Sequence, residues 1–214
     1  MTVKKRAEEE GISDLPLTRR QRQALETKDK LYNAAVREIN EKGFSNVSIE
    51  DITTAAQVAK GTFYTHFESK EALIFYTFQQ SDDVYRRAYE QVREEAFLPA
   101  VTAFMRRSYT EYERRGKGII KAMISHYFSL PRHDFYGKDR ALLQCLGKLV
   151  ERGKREGDLD PVRSTEAYVA LLVSTVVGVE VMWCLDEQGQ RLADMVEDAI
   201  HVTALGMTAA IHEM

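Results

Sequence analysis

Between Glu166 and Glu180 the chain runs for 13 residues, Ala167 to Val179, without a charge. Tyr168, Leu171, Leu172, Thr175, Val179, Met182 and Trp183 follow i, i+3, i+4, i+7 spacing through and just past it, and Val173, Val176 and Val177 add apolar bulk elsewhere around the turn. A helix apolar on nearly every side has to be covered on more than one of them. A membrane span needs about 20 apolar residues, so this segment reads as the buried helix of a multi-helix body with no membrane partner.

The rest of the chain agrees with that demand. Strand-like alternation is absent and helical spacing recurs throughout, which predicts an all-α fold of nine helices. Their expected spans are 22–42, 48–55, 60–67, 69–95, 99–115, 119–130, 139–156, 164–186 and 191–212, with Gly43, Gly116, Gly157 and Pro131 as stops. Ser48, Ser69 and Ser164 are the expected caps, and Pro99 fits a first helical turn. In the last helix Met195, Ala199, Val202, Gly206 and Ala209 recur every 3.5 residues and most are small, as in either an internal core or a subunit interface.

Composition sets the class but not the function. The 214 residues are 44% hydrophobic and 29% charged, an ordinary globular balance. Two cysteines, Cys145 and Cys184, make no disulfide framework and no zinc spacing, and the start MTVKKRAEEEGISDLPL has no apolar core of a secretory signal. A reducing, cytoplasmic setting is expected. Net charge is −3, which alone does not point to nucleic acid. Arg19, Arg20 and Arg22 form a small basic patch that reads as a solvated face, or as a flexible arm reaching a DNA minor groove.

The informative stretch is FSNVSIEDITTAAQVAKGTFYTHFESK, Phe44 to Lys70. Two short helices joined by a tight turn, behind a longer one, have the proportions of a helix-turn-helix. Phe63 and Phe67, four apart, turn one face of the second helix inward, leaving Lys60, Thr62, Tyr64, Thr65 and His66 outside. No carboxylate occurs between Gln57 and Phe67, so this face carries donors to phosphates and base edges without repelling DNA.

The run Ile49-x2-Ile52-x2-Ala55-Ala56-x-Val58-x-Lys60-Gly61-Thr62-Phe63-Tyr64-x-His66-Phe67-x2-Lys70 closely resembles the DNA-binding domain of the TetR family of transcriptional regulators, the likeness covering about Thr27 to Leu73. The resemblance implies a tail (1–18), a three-helix DNA-binding head (19–68) and a six-helix ligand-binding and dimerisation domain (69–214). It further implies a homodimer joined by the last two helices that binds a palindromic double-stranded operator as a repressor and leaves it on binding a small-molecule effector. An activator or a ligand-independent regulator of the same fold is the alternative, and behind it an all-α binding protein or enzyme without specific DNA binding. Ser48, Lys60, Thr62, Tyr64, His66 and Lys70 match positions that commonly contact DNA. Two positions depart from the family pattern: Gln57 replaces the turn glycine and Ala59 replaces the hydroxyl cap of the second helix.

Signals of an enzyme or a cofactor are weak. Gly116-Lys117-Gly118 lies between helices without a preceding strand, and His126 with His133 and Asp134 makes a poor metal set, so neither cofactor nor metal is expected. A ligand chamber is the more plausible use of the middle region. Met105, Tyr109, Met123, His126, Tyr127 and Trp183, with Tyr112 and Phe128 beside them, supply rings and thioethers, and Glu180 is a carboxylate inside an apolar helix. That carboxylate is either a salt-bridged or exposed group, or a polar anchor for a ligand or partner subunit.

Overall fold

The computed structural model describes residues 18–127, 137 and 139–209, which hold nine α-helices and no strand. The expectations for the tail, for the segment from Phe128 through His133 and Asp134, for the Ala209 side chain and for the chain end fall outside the described residues.

α1 (Arg19–Lys42) begins earlier than Arg22 because Thr18 and Gln21 form a reciprocal capping box, Thr18 Oγ1 accepting from the Gln21 N–H and Gln21 Oε1 from the Thr18 N–H. Arg19, Arg20 and Arg22 are therefore helical, which corrects the reading of them as a flexible arm. Gly43, at φ 78°, ends α1, and one 3-10 turn (Phe44–Asn46) leads to α2 (Ile49–Ala55). A tight turn then opens α3 (Lys60–His66). Leu31, Ala35, Ile39, Ile52, Phe63 and Phe67 are buried together, so the three helices close on one apolar centre.

α4 (Glu71–Glu90) serves both parts of the molecule. Leu73, Ile74 and Tyr76 complete the head core, Tyr76 meeting Tyr32 and Phe67 edge-on at 5.3 and 5.6 Å, while Phe78, Tyr85 and Ala88 are buried farther along. The helix stops at Glu90, short of the expected Glu95, as the chain turns to bury Val92.

The body continues with α5 (Phe97–Tyr112), a 3-10 turn (Glu113–Arg115), α6 (Lys117–His126), α7 (Ala141–Glu156), α8 (Thr165–Leu185) and α9 (Leu192–Ala209). α9 packs along α5 and against α8, burying Leu192, Val196, Ile200 and Ala204. Val202, Leu205 and Gly206 face outward instead, as do Leu171, Met182 and Leu185 of α8. α8 is long and apolar enough to cross a membrane by length and composition, yet one of its sides is buried in protein and carries Glu180.

The turn between α2 and α3 holds a local strain. Gln57 is at φ 54°, the one described non-glycine residue in the left-handed region. For a residue with a Cβ that conformation costs about 1–2 kcal/mol, whereas glycine adopts it freely at an entropic cost of about 0.5–1 kcal/mol in the unfolded chain. Gln57→Gly is expected to raise stability by about 0.5–1 kcal/mol, read as a higher urea midpoint at unchanged slope. A lower midpoint would show that the Gln57 side chain stabilises the turn by more than the strain.

Candidate functional site

The head offers one polar face without carboxylates of its own. Lys60 and Tyr64 are exposed on α3, while Thr62 and His66 are half-buried. Glu50, in the first turn of α2, reaches Lys60 Nζ at 2.7 Å. Both side chains are solvated and such pairs are weak, so a phosphate can replace the carboxylate. Ser48 caps α2: its hydroxyl donates to Asp51 Oδ2 at 2.5 Å and accepts the Asp51 N–H at 3.1 Å. These bonds hold the Asp51 carboxyl down at about 2. Ser48 and Tyr64 border the same shallow groove. Burial, and secondarily the Lys28 ammonium, push the His66 imidazole below its ordinary pKa, which leaves it a neutral hydrogen-bonding group near pH 7.

Lys70 is turned into the head. Its ammonium donates to the carbonyls of Phe44 and Val47 at 2.7 and 2.8 Å and lies 4.3 Å from the Phe44 ring centroid. It ties the start of α4 to the chain that enters α2, and this structural role corrects the expectation of a free DNA contact.

A second polar site lies inside the body. Glu180 of α8 is 3% exposed; Tyr109 donates to its Oε1 at 2.9 Å and Tyr127 to its Oε2 at 2.7 Å. Phe78, Tyr85, Tyr112, Arg140 and the inner valines of α8 complete the wall of a cavity of about 30 Å³, room for about one water. Desolvation raises the Glu180 carboxyl to about 7, against the tyrosine hydrogen bonds that favour its charged form. The same burial and the Glu180 charge raise the pKa of Tyr109 and Tyr127, which keeps both hydroxyls protonated donors.

With both sites described, comparison with known proteins is decisive for the head. Residues 31–77 match the model of the bacterial regulatory proteins of the tetR family. The HTH-type transcriptional repressor DhaR of Mycobacterium sp. (strain GP1) is 43% identical over 61 residues, 28% of this chain and 31% of that protein. The head belongs to the TetR family. The fold of the whole chain agrees: the fatty acid degradation regulator FadR from Bacillus halodurans superposes with a TM-score of 0.72 at 19% identity, covering 85% of this chain and 96% of its own. FadR from Bacillus subtilis, solved in complex with stearoyl-CoA, gives 0.71 at 16% identity, covering 83% and 97%. The aligned part spans about a third of DhaR, so the sequence likeness is that of the head.

The body gathers only part of the expected ligand set. Tyr109, Tyr127 and Glu180 line one cavity, and Met123 stands one contact behind, where Tyr112 Oη donates to its Sδ at 3.5 Å. Three residues are corrected. Met105 is packed in the core away from the cavity wall. The His126 ring meets Phe44 of the head at 4.9 Å, and its Nδ1 is 2.8 Å from the Ala122 carbonyl. Trp183 donates its indole N–H to the Gln190 carbonyl at 2.8 Å. Phe78, Tyr85 and Arg140 were missed; Phe78 and Tyr85 are seven apart on α4, an i, i+7 pair that reads equally well as plain core.

The Glu180 carboxyl gives a pH prediction. Its pKa is about 7 folded against 4.5 as an ordinary carboxyl, so between those values the unfolded chain sheds a proton that the folded chain keeps. Stability from this group is therefore intact below about pH 4.5 and falls as pH rises through 7, by on the order of 3 kcal/mol. Glu180→Gln removes that loss, so its stability gain over the parent in urea titrations is expected to be larger at pH 8 than at pH 5. Equal gains at both pH values would mean that the carboxyl titrates normally.

Proposed function

We propose that the chain is a transcriptional repressor of the cytoplasm that binds a palindromic operator as a homodimer and is released by a small molecule held in the body. The observation that carries this is the α3 face. A helix-turn-helix built on a buried Phe63–Phe67 pair presents Lys60 and Tyr64 to solvent with no acidic residue on α3 itself. Residues 19–68 would form the DNA-binding unit and 69–214 the rest, with α4 crossing between them. DhaR bears the name of a repressor, and the FadR–stearoyl-CoA complex is a small-molecule complex of the same fold.

Binding to DNA is tested by mobility shift on the DNA flanking the protein's own gene, titrated at several salt concentrations. Lys60→Ala and Tyr64→Phe are expected to weaken operator binding without lowering the thermal midpoint. Lys60→Ala should also reduce the slope of log K against log salt by about 0.9 if its ammonium contacts one phosphate. Unchanged affinity in both variants would remove α3 as the reading helix.

The homodimer reading rests on the outer side of α8 and α9. Leu171, Met182, Leu185, Val202 and Leu205 are exposed together on the last two helices, and a Cβ built on Gly206 meets nothing within 4 Å. Two heads must meet successive major grooves about 34–36 Å apart, which requires a stiff interface, and a two-fold pairing of α8 and α9 provides it. Gly206→Arg places a long cation in that pairing. Sedimentation equilibrium is expected to show a protomer, or a dimer weakened at least tenfold, and operator affinity should fall with it. A stable dimer with full operator binding would place the interface elsewhere.

A further inference from the structure

Among the described residues no cation pairs with the buried carboxylate of Glu180. Its partners among these residues are tyrosine hydroxyls, Tyr109 on one oxygen and Tyr127 on the other, with Tyr112 beside them. The cation in the cavity wall, Arg140, is engaged by Asp82 in an ion pair at 3.2 Å and donates to the Phe78 carbonyl at 3.0 Å. Around Glu180 the wall is made of the rings of Phe78, Tyr85, Tyr109, Tyr112 and Tyr127 and the side chains of Val173, Val176 and Val177. Among the described residues the site is thus short of one positive charge. Its remaining surface is aromatic and aliphatic.

We propose that the effector of this protein is a lipophilic organic cation, a protonated amine or quaternary ammonium or phosphonium, whose charge is met by Glu180 inside the tyrosine cage. This rests on the reading of the body as the ligand-binding part. Several features of the site favour that ligand class. A carboxylate out of water is strongly disfavoured unless paired, and an entering cation supplies the missing partner. Tyrosine and phenylalanine faces attract a desolvated cation through their quadrupoles, and that attraction grows in a dry cavity. The two tyrosine hydroxyls hold both oxygens of the carboxylate in one orientation toward the cavity. An anion would meet the Glu180 charge directly. An acyl-CoA such as that in the FadR complex would bring charge of the wrong sign.

The cavity of about 30 Å³ is far below the few hundred Å³ of a ligand pocket, so binding has to displace a wall. Tyr127 is the wall residue that follows the last residue of α6, His126, whose ring rests on Phe44 in the head. A ligand that takes the place of the Tyr127 hydroxyl on Glu180 therefore acts at the end of the helix that touches the chain entering α2. Site and head are joined through neighbouring residues.

The test uses the purified full chain and ion pairs matched in shape. Binding of tetraphenylphosphonium and tetraphenylborate is measured by calorimetry and by the fluorescence of Trp183, the single tryptophan, one helical turn from Glu180. A smaller pair, benzyltrimethylammonium and its uncharged carbon isostere neopentylbenzene, is run alongside. The cation of at least one pair is expected to bind at least tenfold more tightly than its counterpart. Glu180→Gln should abolish that preference while keeping the thermal midpoint at or above the parent value. Tyr127→Phe, which keeps ring and carboxylate, should retain the preference. Absence of binding by both cations, equal affinity within both pairs, or an unchanged preference in Glu180→Gln would overturn the proposal. Operator binding is measured separately without any probe. Its loss would overturn the regulator reading and leave the cation result standing, whereas intact operator binding with no cation preference would overturn only the ligand class.

Discussion

Head and body meet where Arg115, Gly116, Lys117 and Gly118 press against the end of α1, a contact that ties five helices together. A Cβ built on Gly118 would lie 2.7 Å from Asn40 Cα and 2.8 Å from the Ile39 carbonyl oxygen, so only glycine allows the two backbones this close. Asn40 fills the junction by donating its amide to the Arg115 carbonyl at 2.6 Å and accepting the Ile119 N–H at 3.1 Å. Arg115 donates to the Thr77 carbonyl inside α4 at 3.1 Å, and the Lys117 ammonium reaches the Asp186 carbonyl at the end of α8 at 2.5 Å. Four consecutive residues thus pin α1, α4, α5, α6 and α8 to one point.

That pin gives α6 its mechanical role. Its first residues are held at the junction, and its far end carries His126 against Phe44 and is followed by Tyr127 on Glu180. Phe44 in turn supplies a carbonyl and a ring to Lys70 at the start of α4. A change at Glu180 is therefore felt at two places in the head, the chain entering α2 and the foot of α4, through packed and hydrogen-bonded neighbours. In the proposed mechanism a ligand shifts the population of heads only as far as it binds the two arrangements with different affinity. Exchanging the Tyr127 hydroxyl for a ligand at a desolvated carboxylate is one place where such a difference arises.

Legibility in the sequence followed how local each signal was. The head could be read almost residue by residue, because its helices are fixed by short-range devices: the Ser48–Asp51 box, Gly43 as a stop, and the Phe63–Phe67 pair. The left-handed turn at Gln57 could be anticipated only from the family's glycine at that place. Lys70 was misread because its partners are the carbonyls of Phe44 and Val47, more than twenty residues away, and no spacing rule connects them. The body failed in the same manner. Periodicity marks which residues of α5, α6 and α8 are apolar, but which of those faces meet at a cavity depends on crossing geometry. Hence Tyr109, Tyr127 and Glu180 converge while His126 and Trp183 turn away. Gly116 reads in the sequence as a helix stop and Gly118 only as part of a failed phosphate motif, since a close approach to α1 leaves no mark in the local sequence.

The apolar character of α8 now has a cause beyond burial in a single core. Its inner side supplies Val173, Val176 and Glu180 to the cavity, while Leu171, Gly178, Met182 and Leu185 lie on the opposite, exposed side. In a two-fold pairing that outer side meets the partner and the helix has no solvent face left, so its sequence comes close to that of a membrane span while serving a different solvent. The arrangement also limits how the molecule can respond. Close-packed interfaces resist continuous deformation, so in the proposed dimer an outward push on α8 by a ligand would move it against its twin or be absorbed on the other side of the cavity. The inner side of α8 faces Tyr127, which follows the end of α6. In the proposed dimer a stiff α8 interface would leave the α6 side of the cavity to take up the displacement.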